Sequence, residues 1–215
     1  GQTHSQELET RDWNAPVKST DLIDFENVFR FTLGGFVDPF ASGRFESQFI
    51  DQSDAEKTLS VNPIKLTESF GVAKTLIEEE NRSWTARLGG GLRQYIDRNG
   101  VEEDPDDDGE TDVTSDTGVE FVTEFRTTLA DDRITYASKL TAFQAITYSE
   151  SEELEGLENE DDWKAVDVDW ENTFTAGITD HLMVNLFVEA LYDREIDDGV
   201  RFKETLSLGF TFNLM

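Results

Sequence analysis

The segment 104–115 has the residue types and spacing of a metal-binding loop. Four carboxylates fall at the first, third, fifth and ninth positions of a calcium-loop pattern: Asp104, Asp106, Asp108 and Asp112. Gly109 stands at the sixth position, where calcium loops turn sharply. The twelfth position holds Ser115, although a bidentate Glu usually closes such a loop. Two interpretations follow, a Ca²⁺ site and a solvated acidic loop, and we favour the second.

Cysteine and histidine, which commonly act as catalytic nucleophiles and bases, are scarce. The chain has no cysteine, and its histidines are His4 and His181. Neither accompanies a Gly-x-Ser-x-Gly motif, so a serine hydrolase is not indicated. The glycines of 88–92 precede no Lys-Ser/Thr pair and no helix, which excludes a phosphate loop. We therefore expect no enzyme, and no cofactor apart from the candidate Ca²⁺.

The charge balance is strongly acidic. The chain of 215 residues has 47 acidic and 18 basic side chains, a net charge of −29. Nucleic acid is excluded as a partner, because binding it requires clustered Lys and Arg. The acidity indicates either a cation-binding surface or a halophilic protein. We favour the second, since at about 1 M salt the screening length is roughly 3 Å.

Apolar and polar residues alternate with a period of two along most of the chain. In 201–214 one face carries mainly large apolar side chains: Phe202, Glu204, Leu206, Leu208, Phe210, Phe212 and Leu214. The opposite face is polar or small. Such a segment is a strand that separates two different solvents. No apolar run reaches the roughly 18 residues of a membrane-spanning helix.

The alternation predicts nine strands. They cover 24–35, 40–50, 59–76, 84–96, 119–126, 134–148, 166–178, 182–192 and 201–214. Most exceed the roughly 5–6 residues of a soluble strand and meet the roughly 9–11 that a membrane-spanning strand needs. The prediction is an all-β fold, an antiparallel up-and-down transmembrane β-barrel of about ten strands.

Connection lengths also alternate. Tight turns are predicted at Val37-Asp38-Pro39, Ala130-Asp131-Asp132 and Thr179-Asp180-His181, and long polar loops at 51–58, 97–116 and 148–162. An intermediate turn lies at 78–83. In outer-membrane barrels the short turns are periplasmic and the long loops extracellular. The same assignment places the C-terminus in the periplasm and the long acidic loops outside the cell.

The odd strand count predicts a further N-terminal strand, because bacterial single-chain barrels have even numbers. Either 7–17 contributes to it or it precedes Gly1 in a longer precursor. The expected organisation is therefore an N-terminal segment 1–20, partly disordered or the remnant of a first strand, and a barrel domain 21–215.

Charged residues concentrate on the polar strand faces. The predicted lumen network comprises Arg30, Arg44, Glu46, Arg87, Arg93, Glu120, Glu124, Arg126, Lys139, Asp169, Glu171, Glu189, Arg201 and Lys203. A barrel of about ten strands has a narrow interior filled by side chains, where charges must be paired. The favoured interpretation is a structural salt-bridge core, and the alternative is a narrow ion or small-solute channel.

Four stretches resemble a family of Bacteroidetes-type proteins known only as a domain of unknown function. They are 168–175, Asn185-Leu186, Leu191-Tyr192-Asp193 and 200–210, with Asp12-Trp13-Asn14 similar to the N-terminal region of that family. Members of the family look like outer-membrane barrels. The resemblance implies fold and location, and it implies no catalytic residues.

The combined expectation is a non-enzymatic outer-membrane β-barrel with a structural or accessory role in the cell envelope. Its partners would be outer-membrane lipid and other envelope proteins of a larger complex. Phe29, Phe31, Leu186, Leu208, Phe210 and Phe212 are expected to face lipid. A third interpretation is a soluble lipocalin-like ligand-binding barrel, but its lumen would have to hold about seven faces rich in Phe and Leu.

Overall fold

The chain is nearly all β. A computed structural model describes residues 2–3, 17–18, 21–51, 59–98, 111–130, 133–179 and 181–210. Nine strands form one sheet: β1 (Ile23–Arg30), β2 (Asp38–Ser47), β3 (Ile64–Glu79), β4 (Arg82–Asp97), β5 (Asp112–Leu129), β6 (Ile134–Tyr148), β7 (Val166–Gly177), β8 (Leu182–Tyr192) and β9 (Arg201–Phe210). The predicted all-β class and the nine predicted strands are confirmed.

The sheet is an up-and-down antiparallel meander in which each strand pairs with its neighbours in sequence. Connections alternate in length along the chain, with short ones at 31–37, 80–81, 130–133 and 178–181 and longer ones at 48–63, 98–111, 149–165 and 193–200. Consecutive strands of a meander run in opposite directions, so alternate connections fall at opposite strand ends.

Several predicted connections differ in their bounds from the observed ones, and two of them misassign strand residues. Asp38 and Pro39 are not turn residues but the first two residues of β2. The loop predicted to run to Asp116 ends earlier, because β5 begins at Asp112. A short 3₁₀ helix, Asp162–Lys164, lies inside the connection 149–165. No helix in the described ranges has the length and hydropathy that crossing a membrane requires.

Two-residue pairings complete the described β-structure. Gln2–Thr3 pairs antiparallel with Val17–Lys18, and Ile50–Asp51 pairs with Leu59–Ser60. The predicted N-terminal strand in 7–17 and the predicted first segment 1–20 lie almost wholly outside the described residues. The chain divides into two compact units that interleave in sequence, one of 1–27, 43–67 and 93–115 and one of 28–42, 68–92 and 116–215.

A polar core holds the first unit together. Asn62 is fully buried, and its Nδ2 donates to Asp51 Oδ2 at 2.8 Å and to Asp97 Oδ1 at 2.9 Å. Its Oδ1 accepts the backbone N–H of Arg98 at 3.0 Å. A buried amide is stable only when its donors and acceptor are satisfied, which these three bonds achieve.

Glycines set the close strand packing of the second unit. A Cβ on Gly71 would lie 2.2 Å from the carbonyl oxygen of Leu88, and one on Gly89 would lie 2.3 Å from that of Phe70. Both obstacles are backbone atoms, which cannot move aside as a flexible side chain can. The backbones of β3 and β4 approach too closely here for any residue except glycine.

Replacing Gly71 with Ala should therefore impair folding of the chain. The new Cβ would force β3 and β4 apart, and overpacking of this kind typically costs about 1–3 kcal/mol. The measurement is the thermal unfolding of the purified variant. Gly43→Ala is the matched control, because nothing lies within 4 Å of a Cβ at that position. Equal unfolding temperatures for the two variants would contradict the predicted close approach.

Candidate functional site

Many polar side chains are buried and many large apolar side chains are exposed, which is the inverse of the usual pattern in a water-soluble protein. The buried residues of the described chain include Asp38, Arg87, Glu120 and Asn172, each 8% exposed or less. Large apolar side chains are exposed along the strands, among them Phe29 (65%), Phe70 (73%), Phe202 (76%), Leu208 (66%) and Phe210 (66%). An ordinary soluble core has the opposite distribution, because burying apolar surface drives folding in water.

Most residues expected to face lipid lie on this exposed apolar face. Phe29, Phe31, Leu208 and Phe210 are more than half exposed, and Leu186 is half-buried within β8. Phe212 lies outside the described residues. None of the described members packs into a closed apolar interior, which is the arrangement that a lipocalin-like barrel requires.

Four aromatic rings form a continuous row across β4, β5, β6 and β7. The ring centroids of Trp84 and Phe125 are 6.4 Å apart, those of Phe125 and Tyr136 are 6.1 Å apart, and Tyr136 stacks on Phe174 at 4.6 Å. Each ring lies close to a strand end that meets a short connection. We call Trp84, Phe125, Tyr136 and Phe174 the aromatic row.

The polar tips of the aromatic row are hydrogen-bonded within the sheet. Trp84 Nε1 donates to Thr123 Oγ1 at 2.7 Å, and the Tyr136 hydroxyl donates to Asn172 Oδ1 at 2.8 Å. Trp170 Nε1 makes a similar bond to Ser138 Oγ at 3.0 Å. These bonds satisfy the donors of amphipathic rings whose apolar surface stays open.

The face of the sheet opposite the aromatic row carries most of the charged side chains, and we call it the polar face. About halfway along the strands, this face is filled by four side chains that we call the plug: Phe40, Arg87, Glu120 and Phe143. Their exposures are 3%, 6%, 8% and 4%. The Arg87 guanidinium carbon lies 5.6 Å from the Phe40 ring centroid, within cation–π range. Glu120 Oε1 accepts a 2.8 Å bond from Ser69 Oγ, although Ser69 is two strands away on β3.

Missing side chains at two glycines make room for the Phe143 ring. A Cβ on Gly91 would lie 3.0 Å from Phe143 Cε2, and one on Gly118 would lie 2.8 Å from its Cζ. A large ring therefore occupies space that β4 and β5 leave open. The triple glycine of β4 thus serves strand packing, in agreement with the exclusion of a phosphate loop.

Five charged residues stand directly opposite one another in register across five strands. Glu124 faces Lys139, Lys139 faces Glu171, Glu171 faces Glu189 and Glu189 faces Lys203. Lys203 Nζ lies 3.5 Å from Glu189 Oε2. Cross-strand neighbours of opposite charge stabilise a sheet, so the Glu124–Lys139, Lys139–Glu171 and Glu189–Lys203 pairs favour the observed register. The like charges of Glu171 and Glu189 oppose it.

Carboxylates converge where Asp169 lies beside two members of the charged row. Oxygen atoms of Asp169, Glu171 and Glu189 lie within 4.8 Å of one another, and all three residues are half-buried. Carboxylate oxygens at this separation are suited to a hard cation such as Ca²⁺. The positive charge of Lys203 beside Glu189 already offsets part of the repulsion.

The remaining members of the predicted network divide between the two units. In the second, Arg30 binds Asp38 through Nε (2.8 Å) and Nη2 (2.5 Å) and donates through Nη1 to Thr75 (2.6 Å). Asp38 also accepts the backbone N–H of Leu33. Arg201 begins β9, and its Nε and Nη2 are buried without a hydrogen-bond partner in the described part of the chain.

In the first unit, Arg44 makes two bonds to Asp24, of 3.0 and 2.9 Å, and lies 3.2 Å from Glu46. Arg93 is half-buried in β4. Of the candidate Ca²⁺ ligands, Asp104, Asp106 and Asp108 lie outside the described residues. Asp112 is an exposed strand residue at the start of β5, so the last positions of the calcium-loop pattern are extended backbone.

A cleft of about 400 Å³ opens on the polar face beside the charged row. Hydroxyl side chains from Ser83, Thr85 and Thr173 form its walls, and its charged side chains are Glu124, Arg126, Lys139 and Glu171. Glu124 and Arg126 are exposed. The cleft and the plug thus occupy different levels of the same polar face.

Three important residues carried no distinct sequence signal. Asp38 looked like a turn residue beside Pro39, whereas it is buried against Arg30. Phe40 and Phe143 are apolar, so alternation alone does not indicate that they fill a polar face. The glycines opposite Phe143 leave a space about the size of an aromatic ring, and they are the sequence feature that could have indicated that Phe143 fills the polar face.

No family model, no curated protein and no solved structure matches the chain. The resemblance to the Bacteroidetes-type family therefore stays a prediction.

Replacing Asp38 with Ala should destabilise the chain. The change leaves the Arg30 guanidinium and the Leu33 N–H without their acceptor, and the partial exposure of Arg30 limits the loss of stability. The measurement is the free energy of unfolding in urea. Asp198→Ala is the control, since Asp198 is 91% exposed and 3.8 Å from Arg194. A smaller loss for Asp38→Ala than for the control would contradict this role.

Proposed function

We propose that the chain is a non-enzymatic β-barrel that spans the bacterial outer membrane and has a structural or accessory role in the cell envelope. The observation that carries the proposal is the inverted polarity of the sheet. Charged and hydroxyl side chains are buried on one face, while Phe, Leu, Val and Trp are exposed on the other. A membrane supplies the apolar solvent that such a face needs.

The magnitude of the exposed surface favours this proposal over a water-soluble protein. A buried aromatic side chain removes about 150–250 Å² from water, worth roughly 25 cal/mol per Å². Phe29, Phe70, Phe202 and Phe210 alone would thus gain several kcal/mol from lipid. Soluble monomers rarely leave a continuous apolar face of this size uncovered.

Strand length and the aromatic row agree with a membrane location. β4, β6 and β8 have 16, 15 and 11 residues, enough for the roughly 9–11 of a tilted spanning strand. Aromatic girdles lie at membrane interfaces. The aromatic row would therefore mark the interface at the short connections, which is the periplasmic side in outer-membrane barrels, with the long acidic connections outside the cell.

The plug favours a structural role over a channel. Phe40, Arg87, Glu120 and Phe143 are packed together and nearly inaccessible. An ion path along the polar face would have to displace two aromatic rings and a buried charge. Outer-membrane lipid is accordingly the proposed principal partner, with other envelope proteins as further partners.

Spin labels at single cysteines test the membrane location. The chain has no cysteine, so each introduced thiol is unique. In phospholipid vesicles, labels at Val119 and Phe121 of the apolar face should collide more with oxygen than with a water-soluble nickel chelate, because oxygen partitions into lipid.

Labels at Arg126 in the cleft and at Glu155 in the connection 149–165 are the matched controls, and these should favour the nickel chelate. If the nickel chelate reached Val119 and Phe121 as readily as Glu155, the apolar face would be in water and the proposal would fail.

Planar bilayers test the plug. The unmodified chain should give no discrete current steps, since the polar face is closed at mid-height. The Phe40→Ala/Phe143→Ala double variant should give steps, because two rings are removed from the plug. Phe121→Ala, which changes the apolar face, should stay silent. Steps from the unmodified chain would instead favour the channel.

A further inference from the structure

Two of the four charged side chains of the cleft make no hydrogen bond or ion pair with any residue in the described ranges. These are Arg126 and Glu124, and both are exposed to the cleft. Glu124 stands opposite Lys139 at the end of the charged row, and Lys139 stands opposite Glu171, so Arg126 is the charged residue of the cleft that lies outside that row.

The two charges are spaced to bind opposite ends of one small molecule. Glu124 and Arg126 alternate with Phe125 on β5, so both point to the polar face. Their Cα atoms are about 7 Å apart, twice the rise per residue of a strand. The charged side chains that line the cleft have no net charge, since Glu124 and Glu171 are negative and Arg126 and Lys139 are positive.

We propose that this cleft binds a small zwitterion, an amino acid or a short peptide that carries both an ammonium and a carboxylate group. Arg126 receives the carboxylate through its planar pair of donors. Glu124 receives the ammonium. Ser83, Thr85 and Thr173 offer hydroxyls to the backbone amide and side chain of the ligand. A volume of about 400 Å³ lies within the usual range of ligand sites, roughly 300–1,000 Å³.

Other ligand classes fit less well. A neutral sugar would leave both charges without a counterion, and a simple anion would leave Glu124 repelled. A metal cation would face Arg126 and Lys139. The plug closes the polar face beyond the cleft, so the site holds its ligand from one side instead of passing it through.

Titration calorimetry with alanyl-alanine tests the proposal. The full chain is used in whichever medium keeps it monodisperse, so the result is independent of the membrane location. Alanyl-alanine should bind saturably, with one molecule per chain. N-acetyl-alanyl-alanine, which lacks the ammonium, and alanyl-alanine amide, which lacks the carboxylate, should each bind at least about tenfold more weakly, since each loses one charge-assisted contact.

Two variants test which residue binds the carboxylate of the ligand and which binds its ammonium group. Arg126→Gln should bind the dipeptide and its amide alike, and Glu124→Gln should bind the dipeptide and its acetylated form alike. Arg133→Gln, an exposed arginine outside the cleft, should retain the full discrimination. The proposal is overturned by an absence of saturable binding, by equal binding of all three peptides to the unmodified chain, or by unchanged discrimination in both cleft variants.

Discussion

The structure depends on the pairing of charges on one face of a sheet whose other face is apolar. A strand shows its side chains alternately to two sides, so every charge that avoids the apolar face is directed to the polar one. Confined there, a charge needs a partner, because burying an ion without one costs several kcal/mol. The Arg30–Asp38 and Lys203–Glu189 pairs meet this need between adjacent strands.

The confinement of charges to one face also favours a single register of the sheet. A slip by one residue would turn the charged row of β5 to β9 toward the apolar face and bring Phe125 and Phe174 to the polar one. Register and solvent preference therefore support each other. Hydrogen bonding alone would tolerate such a slip, since a strand backbone offers a donor and an acceptor at every residue.

Much of the strand pattern could be predicted from the sequence. The bounds of β6 and β8 agree with the prediction residue for residue, because apolar side chains recur at most alternate positions there and turn residues follow. The start of β5 was missed because 114–117 is polar on both faces, which resembles a loop. The start of β2 was missed because Pro39 suggests a turn, although proline is tolerated near a strand start.

The site was less predictable, for a physical reason. Alternation assigns a charge to a face but does not identify its partner, which depends on the register between strands far apart in sequence. Glu171 and Glu189 are opposite each other only because β7 and β8 align as they do. The plug is a further case, since Phe143 is accommodated by glycines on β4 and β5 and not by its own sequence neighbours.

Side-chain volume then determines where along the strands the polar face is filled and where it is open. At mid-height, Phe143 fills the space that Gly91 and Gly118 leave and Phe40 lies against Arg87, and exposure falls to 3–4% at both rings. Toward the short connections the corresponding positions are Ser83, Thr85, Ala137 and Thr173, whose small side chains leave the cleft open. The same alternation that places charges on this face thus gives a closed middle and an accessible end. In the proposed barrel, the plug would let the cleft hold a solute without conducting it, so the cleft and the plug are compatible in a single structure.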